Sequence, residues 1–330
     1  MARGLYQAAR LRHKVRGALG STRALERGHE IELWIPITIA AAFLQNLRSM
    51  LQKHLKGRLS TGGATYARFI YAVPFAVLYV AGLAAAPGFA LPAPHATFAL
   101  YTVTGGLAQI VGTALLVTLF SFRNFAVGTT YSKTETLQTA VFGLVILGDR
   151  LSGAAVVAIL VSLVGVMVLS AARSSLGLGR LLTAWTERTA LIGLASGAAF
   201  GISAVSYRAA ALSLGGEGVL IQAAYTLACV LVFQTLVMGA YLIWREPGQL
   251  RQVLAAWPVA LWVGIVGMLG SVGWFTAMTL QNAAYVRALG QIELVFTFIA
   301  AQLIFRESST RLEVTGVLLV MGGIVILLLG

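Results

Sequence analysis

The sequence predicts an all-α polytopic membrane protein, with ten transmembrane helices arranged as two inverted five-helix repeats. Three observations lead there. The first is composition: of 330 residues, 58% are hydrophobic and 11% charged, where a soluble domain is about 25% charged. The second is a succession of ten apolar stretches, most of them long enough to cross about 30 Å of hydrocarbon as a helix. The third is an internal repeat. A constant offset of 158 residues carries Asn124 to Asn282, Lys133 to Gln291, Glu135 to Glu293, Asp149 to Glu307 and Gly165 to Gly323.

The spans are read near 33–52, 64–86, 96–121, 124–147, 152–172, 189–213, 219–243, 256–280, 283–305 and 312–329. Isolated segments this apolar must pair every backbone polar group internally, which a helix does. Transmembrane strands would be half as long and alternate in polarity. Span one places Gln45, Ser49, Gln52 and Lys53 on one face, with Asn46 and Arg48 deepest. Gln52 and Lys53 are expected to snorkel to the interface. Span two begins near Arg68, also expected at the interface. Span three carries Gly106 and Gly112, and span eight repeats them as Gly264 and Gly270. Span four holds Lys133 and Glu135, and span five holds Gly165. Span six repeats Ala41-Ala42-Phe43 of span one as Ala198-Ala199-Phe200. It also carries a stripe of Ser196, Ser203 and Tyr207, then Arg208, another expected interface residue. Span seven contains Cys229. Span eight contains Trp262, expected at the interface, and the deeper Trp274. Trp34, Trp185, Trp244 and Trp257 lie near span ends and are expected as interface anchors. Span nine holds Gln291 and Glu293. Gly and Pro mark the gaps, as in Pro87-Gly88 and Pro247-Gly248. The resulting divisions are a basic tail (1–31), a first repeat (32–172), a connecting loop (173–188) and a second repeat (189–330).

Five spans per half is an odd number, so the second half enters the membrane in the opposite sense, a common plan of secondary transporters. Loop charges agree. Odd-numbered loops carry Lys53, Lys56, Arg58, Arg123, Arg173, Arg180, Arg188, Arg245, Arg251, Arg306 and Arg311; even-numbered loops carry only Arg150. Basic loops stay cytoplasmic, which places both termini outside. The basic tail, with Arg3, Arg10, Arg12, Lys14, Arg16, Arg23 and Arg27, opposes that placement.

Several functions are disfavoured. The net charge of +13 comes from the tail and short loops rather than an aromatic-interleaved patch, so nucleic-acid binding is not expected. No P-loop pattern is present, which argues against an ATP-driven pump. Cys229 is the only cysteine and the four histidines are scattered, so no metal cage and no cofactor is expected. No nucleophile, base and orienting group stand together, so the protein is not expected to be an enzyme.

These features resemble the drug/metabolite transporter superfamily, in particular its EamA-type ten-helix members. The resemblance rests on two five-helix halves, Arg68-Phe69 at span two, and an acid closing spans four and nine in Gly148-Asp149-Arg150-Leu151 and Phe305-Arg306-Glu307-Ser308. It covers about residues 33–329. It implies a secondary carrier of small organic metabolites, often amino acids, with a central cavity lined by both halves. The chain departs from that family in carrying Lys133 and Glu135 inside span four, and in the outside termini that its loop charges imply.

The candidate substrate-binding or proton-coupling residues are Glu135, Glu293, Lys133, Gln291, Arg48, Asn46, Tyr131, Gln138, Tyr207 and Trp274. An ionisable group in a membrane helix costs roughly 2.5–3.5 kcal/mol on insertion scales and usually marks a transport pathway. A carboxylate in low dielectric holds its proton to higher pH and can couple to protons. The alternative is a structural pair with a buried base such as Lys133 or Arg287. On a continuous helix Lys133 and Glu135 point about 160° apart, and Glu135 shares its face with Tyr131, Ser132, Gln138 and Thr139. Asp149 and Glu307 are read as structural or gating, either pairing with Arg150 and Arg306 or capping the next helix.

The expected function is secondary active transport of a small polar organic metabolite, an amino acid or related compound, by alternating access and in the export direction, across a bacterial inner membrane. The expected partners are that substrate and the lipid bilayer; a homodimer is left open. The alternatives are a proton-coupled exporter of cationic amines or drugs, and a non-transporting membrane scaffold.

Overall fold

The computed structural model describes residues 33–52, 54–55, 58–119, 122, 125–173, 179, 183–216, 218–303 and 309–330. The basic tail lies outside the described residues, as do Lys53, Lys56, Arg123, Asn124, Arg180, Arg306 and Glu307.

Among the described residues the chain is helical, without strands. Helix α1 covers 33–52. It is followed by α2 (Thr61–Ile70), α3 (Val73–Ala85), α4 (Ala96–Leu119), α5 (Phe125–Ser132), α6 (Glu135–Phe142) and α7 (Gly153–Arg173). The second half holds α8 (Arg188–Ser213), α9 (Val219–Arg245), α10 (Gln249–Ala255), α11 (Trp257–Leu280), α12 (Ala283–Gly290), α13 (Ile292–Leu303) and α14 (Arg311–Leu329). Local chemistry sets several boundaries. Ser60 caps α2 by accepting from the Gly63 amide, and Asn282 caps α12 by accepting from Ala284. Thr310 and Glu313 form a reciprocal capping box at the start of α14. A π-helical turn, Gly143–Leu147, extends α6 and ends at Gly148, whose φ of 69° suits a residue without Cβ.

Seven segments among the described residues are long and apolar enough to cross a membrane: Thr61–Ala85, Ala96–Leu119, Gly153–Ala172, Arg188–Ser213, Val219–Arg245, Trp257–Leu280 and Arg311–Leu329. Large apolar side chains such as Leu78, Leu236 and Leu318 stand exposed around them. Apolar surface on that scale belongs in lipid, and the protein is a multi-pass membrane protein. Three predicted spans are outside these seven. One is α1. The other two, α5–α6 and α12–α13, are each interrupted, the first at Lys133-Thr134 and the second at Gln291. The interruptions fall at positions that the 158-residue offset makes equivalent.

The two halves pack through matching residues. A Cβ on Gly165 of α7 would lie 2.7 Å from the Val320 amide nitrogen and 2.8 Å from the Gly316 oxygen of α14. A Cβ on Gly323 of α14 would run into the Ser162 hydroxyl and lie 2.7 Å from the Ala158 oxygen of α7. The offset turns one set of contacts into the other, and the two helices run antiparallel. Gly112 of α4 meets Phe200 of α8, while Gly270 of α11 meets Ala41 and Leu44 of α1. Gly106 meets Phe233 of α9, while Gly264 meets Tyr71 at the end of α2. Small residues allow such close approach where no hydrophobic effect drives helices together. A Gly165→Leu variant is therefore expected to unfold at lower temperature in detergent, while Gly82→Leu, with nothing within 4 Å, is not. Circular dichroism during heating distinguishes the two.

Candidate functional site

The site grows from the two helix interruptions. In the first, Ser132 Oγ donates to the Thr129 carbonyl and Thr134 Oγ1 to the Tyr131 carbonyl. The amides of Lys133 and Thr134 bond three residues back, to Thr130 and Tyr131. Hydroxyls that compete for backbone carbonyls loosen a helix. Here they accompany a tight turn that separates α5 from α6. In the second, the Gln291 amide bonds back to Ala288 and the Leu294 amide to Gln291. Gly290 is required beside it, because a Cβ there would lie 2.6 Å from the Trp274 ring.

The interruptions face each other and are joined by crossed ion pairs. Lys133 Nζ donates to Glu293 Oε1 at 2.8 Å. Arg287 Nη2 lies 2.8 Å from Glu135 Oε1. Each pair joins one half to the other. Gln45 Nε2 donates to the second Glu293 oxygen at 2.7 Å, and Asn46 Nδ2 to the Glu293 carbonyl at 2.9 Å. Gln291 Nε2 donates to Thr136 Oγ1 at 2.8 Å. The Arg287 guanidinium lies 5.4 Å from the Trp274 ring centroid.

Asn46 apart, these groups line a cavity of about 700 Å³, within the usual range for small-ligand sites. Both Lys133 and Glu135 reach it, although a continuous helix would point them apart; the turn between α5 and α6 makes this possible. Four bases (Arg48, Arg68, Lys133, Arg287) and two acids (Glu135, Glu293) line the cavity, so it carries an excess of positive charge. It extends toward Gln52, Thr61 and Val117.

Of the ten residues singled out from the sequence, Glu135, Glu293, Lys133, Gln291, Arg48 and Trp274 line this cavity. Asn46 stands behind it, holding the Glu293 backbone. Tyr207 also stands behind the wall: its hydroxyl donates to Gln109 Oε1 at 3.1 Å, Gln234 donates to the same oxygen, and Gln109 lines the cavity. The expected common face of Tyr131, Ser132, Glu135, Gln138 and Thr139 is split by the helix break, and of the five only Ser132 and Glu135 line the cavity. Tyr131 is buried instead with Val127, Ala171 and Ala190. Gln138 turns toward α8, donating to Thr134 Oγ1 and to the Leu194 carbonyl.

Two arginines differ from their expected interface roles. Arg68 lines the cavity. Arg208 Nε faces Asp149 Oδ2 at 3.3 Å, and its Nη1 donates to the Met278 and Gln281 carbonyls, both at 2.7 Å. Asp149 thus pairs with Arg208, not Arg150. This tie, with Tyr285 donating to Ser152, joins the ends of α8 and α11 to the turn before α7. None of these residues lines the cavity. Trp34, expected at the interface, is buried edge-on to Tyr285. Gln109 and Arg68 were missed as site residues. Gln109 is the one polar amide inside span three, and that was the available signal.

Residues 188–329 match the EamA-like transporter family. A protein known from its crystal structure is similar over 90% of this chain and 97% of its own, with a TM-score of 0.66 and 17% identity; at that identity the likeness shows the fold alone. No curated protein matches. That stretch is thus similar to a family of membrane transporters. The match falls on the second half and agrees with the resemblance read from the sequence.

Proposed function

We propose that the protein is a secondary active transporter that exports a small polar organic metabolite, an amino acid or related compound, across a bacterial inner membrane. It does so by alternating access between two inverted five-helix halves. The observation that carries this reading is the pair of crossed ion bridges, Lys133–Glu293 and Arg287–Glu135, between equivalent helix breaks in one cavity. Discontinuous helices at a repeat interface are the recurring substrate site of inverted-repeat carriers. The reciprocal contacts of Gly165 and Gly323 support the inverted repeat. With α1 and the helix pairs α5–α6 and α12–α13 added to the seven long apolar spans, the count becomes ten.

The cationic-amine alternative loses ground. Both glutamates already face a base, and the lining bases outnumber the acids. An ammonium would have to displace Lys133 or Arg287 to reach a carboxylate. A substrate carboxylate has more room, since Arg48 makes no ion pair among the described residues.

Proteoliposomes offered a panel of labelled amino acids, small organic acids and amines test this. Saturable uptake of at least one compound is expected. Glu135→Gln is expected to lower it about tenfold or more, the weight of one charge-assisted contact. Uptake no faster than in empty liposomes across the panel would overturn the carrier reading. Unaltered uptake in the variant would remove Glu135 from the mechanism.

A further inference from the structure

Two positive groups in the cavity have no acid of their own. Arg48 comes from the last part of α1 and Arg68 from the last turn of α2. Gly267 of α11 lies beneath both: a Cβ there would be 3.1 Å from Arg48 Cδ and 3.8 Å from Arg68 Cγ. The two stems therefore converge over one glycine. Neither arginine makes an ion pair among the described residues. Arg48 Nε is buried without a hydrogen-bond partner. Arg68 rests its guanidinium over Phe69, 5.3 Å from the ring centroid. Glu293 is engaged by Lys133 and Gln45, and Glu135 by Arg287.

Converging like charges in a partly dry cavity repel, and an unpaired buried donor is costly. A doubly oxygenated anion relieves both, because the guanidinium fork matches carboxylate and phosphate geometry. We propose that Arg48 and Arg68, meeting over Gly267, are an oxyanion subsite, and that the cargo is a small organic acid whose carboxylate or phosphate they clasp. The rest of the cavity adds complementary groups. Trp274 Nε1 is a buried donor without a partner, and Gln291 Oε1 a buried acceptor without one. The acceptor suits a hydroxyl or ammonium elsewhere on the same acid. This inference rests on the carrier reading and narrows its substrate class.

Thermal unfolding of the purified full chain in detergent, with succinate, glycerol phosphate or putrescine added, tests it. At least one anion is expected to raise the midpoint, and which one does so separates carboxylate from phosphate. Arg48→Gln and Arg68→Gln are expected to weaken that anion's apparent affinity about tenfold to a hundredfold, with Arg48→Lys intermediate. Gly267→Ala keeps both arginines but intrudes on the Arg48 stem, so it is expected to weaken the response even if an arginine variant fails to fold. Three outcomes overturn the proposal: stabilisation by putrescine alone, no response to either anion, or equal anion responses in the wild type and both glutamine variants. Proteoliposome flux of a cationic or neutral solute, together with one of these, would remove the subsite and leave the carrier reading standing.

Discussion

Lys133→Met is expected to lose transport and to lower stability by about 1–3 kcal/mol. Removing one partner of a buried ion pair costs roughly 3–5 kcal/mol, and the estimate is reduced because the Lys133 side chain is 37% exposed to the cavity. The loss falls on Glu293. That carboxylate keeps only Gln45 as a side-chain donor, in a side chain 18% exposed. Its backbone is held by Asn46, so a disturbed Glu293 also loosens the joint between α12 and α13. Transport suffers for a separate reason. The pair joins the two halves at their breaks, the site about which the halves would rock in the proposed alternating-access cycle. Uptake by proteoliposomes, beside thermal unfolding in detergent, reads the two effects separately.

Arg208→Ala is expected to have the larger effect on stability, about 3–5 kcal/mol. Its side chain is 13% exposed and that of Asp149 17%. Four acceptors depend on it: Asp149 Oδ2 and the carbonyls of Met278, Thr279 and Gln281. Alanine leaves a partly buried acid and three partly buried carbonyls without their donor, and desolvated acceptors are costly to abandon. The tie is made away from the cavity, at the junction of α8, α11 and the turn before α7, so its loss is also expected to loosen that end of the helix assembly. A single cysteine at Thr279, which is buried, introduced with Cys229→Ser, reports this. Its labelling by a water-soluble maleimide is expected to speed up in Arg208→Ala. Arg208→Lys, which keeps the charge but not the fork, falls between the two. Unaltered labelling and an unaltered midpoint in Arg208→Ala would show that the tie holds nothing closed.

The helices were legible because membrane helices write themselves as apolar runs, and the matching places of Glu135 and Glu293 were legible because one 158-residue offset relates several landmarks of the two halves. The breaks were not. No proline marks Thr134 or Gln291, and the back-bonding hydroxyls of Ser132 and Thr134 look in sequence like ordinary small polar residues. Without the breaks, an ideal helix sends Lys133 and Glu135 to opposite sides and builds a face through Tyr131 and Gln138 that the break splits. The partners were hidden for another reason. Lys133 and Glu293 are 160 residues apart, and only the packing of the halves decides which base meets which acid. By the offset alone, Gln291 stands where the first half has Lys133, a position without a cation. Arg287, one helical turn earlier, supplies it. Arg68 and Arg208 sit near span ends, where snorkelling is the usual behaviour. One turned into the cavity and the other into a tie between helices.

The crossed bridges between the halves are the centre of this account, and a double-mutant cycle on Lys133 and Glu293 measures one of them directly. Midpoints and unfolding free energies of Lys133→Met, Glu293→Gln and the double variant give the coupling between the two positions. The double variant is expected to be more stable than the sum of the single losses allows, by about 1 kcal/mol or more, while remaining unable to transport. Strictly additive losses, with a double variant that transports as the wild type does, would contradict it.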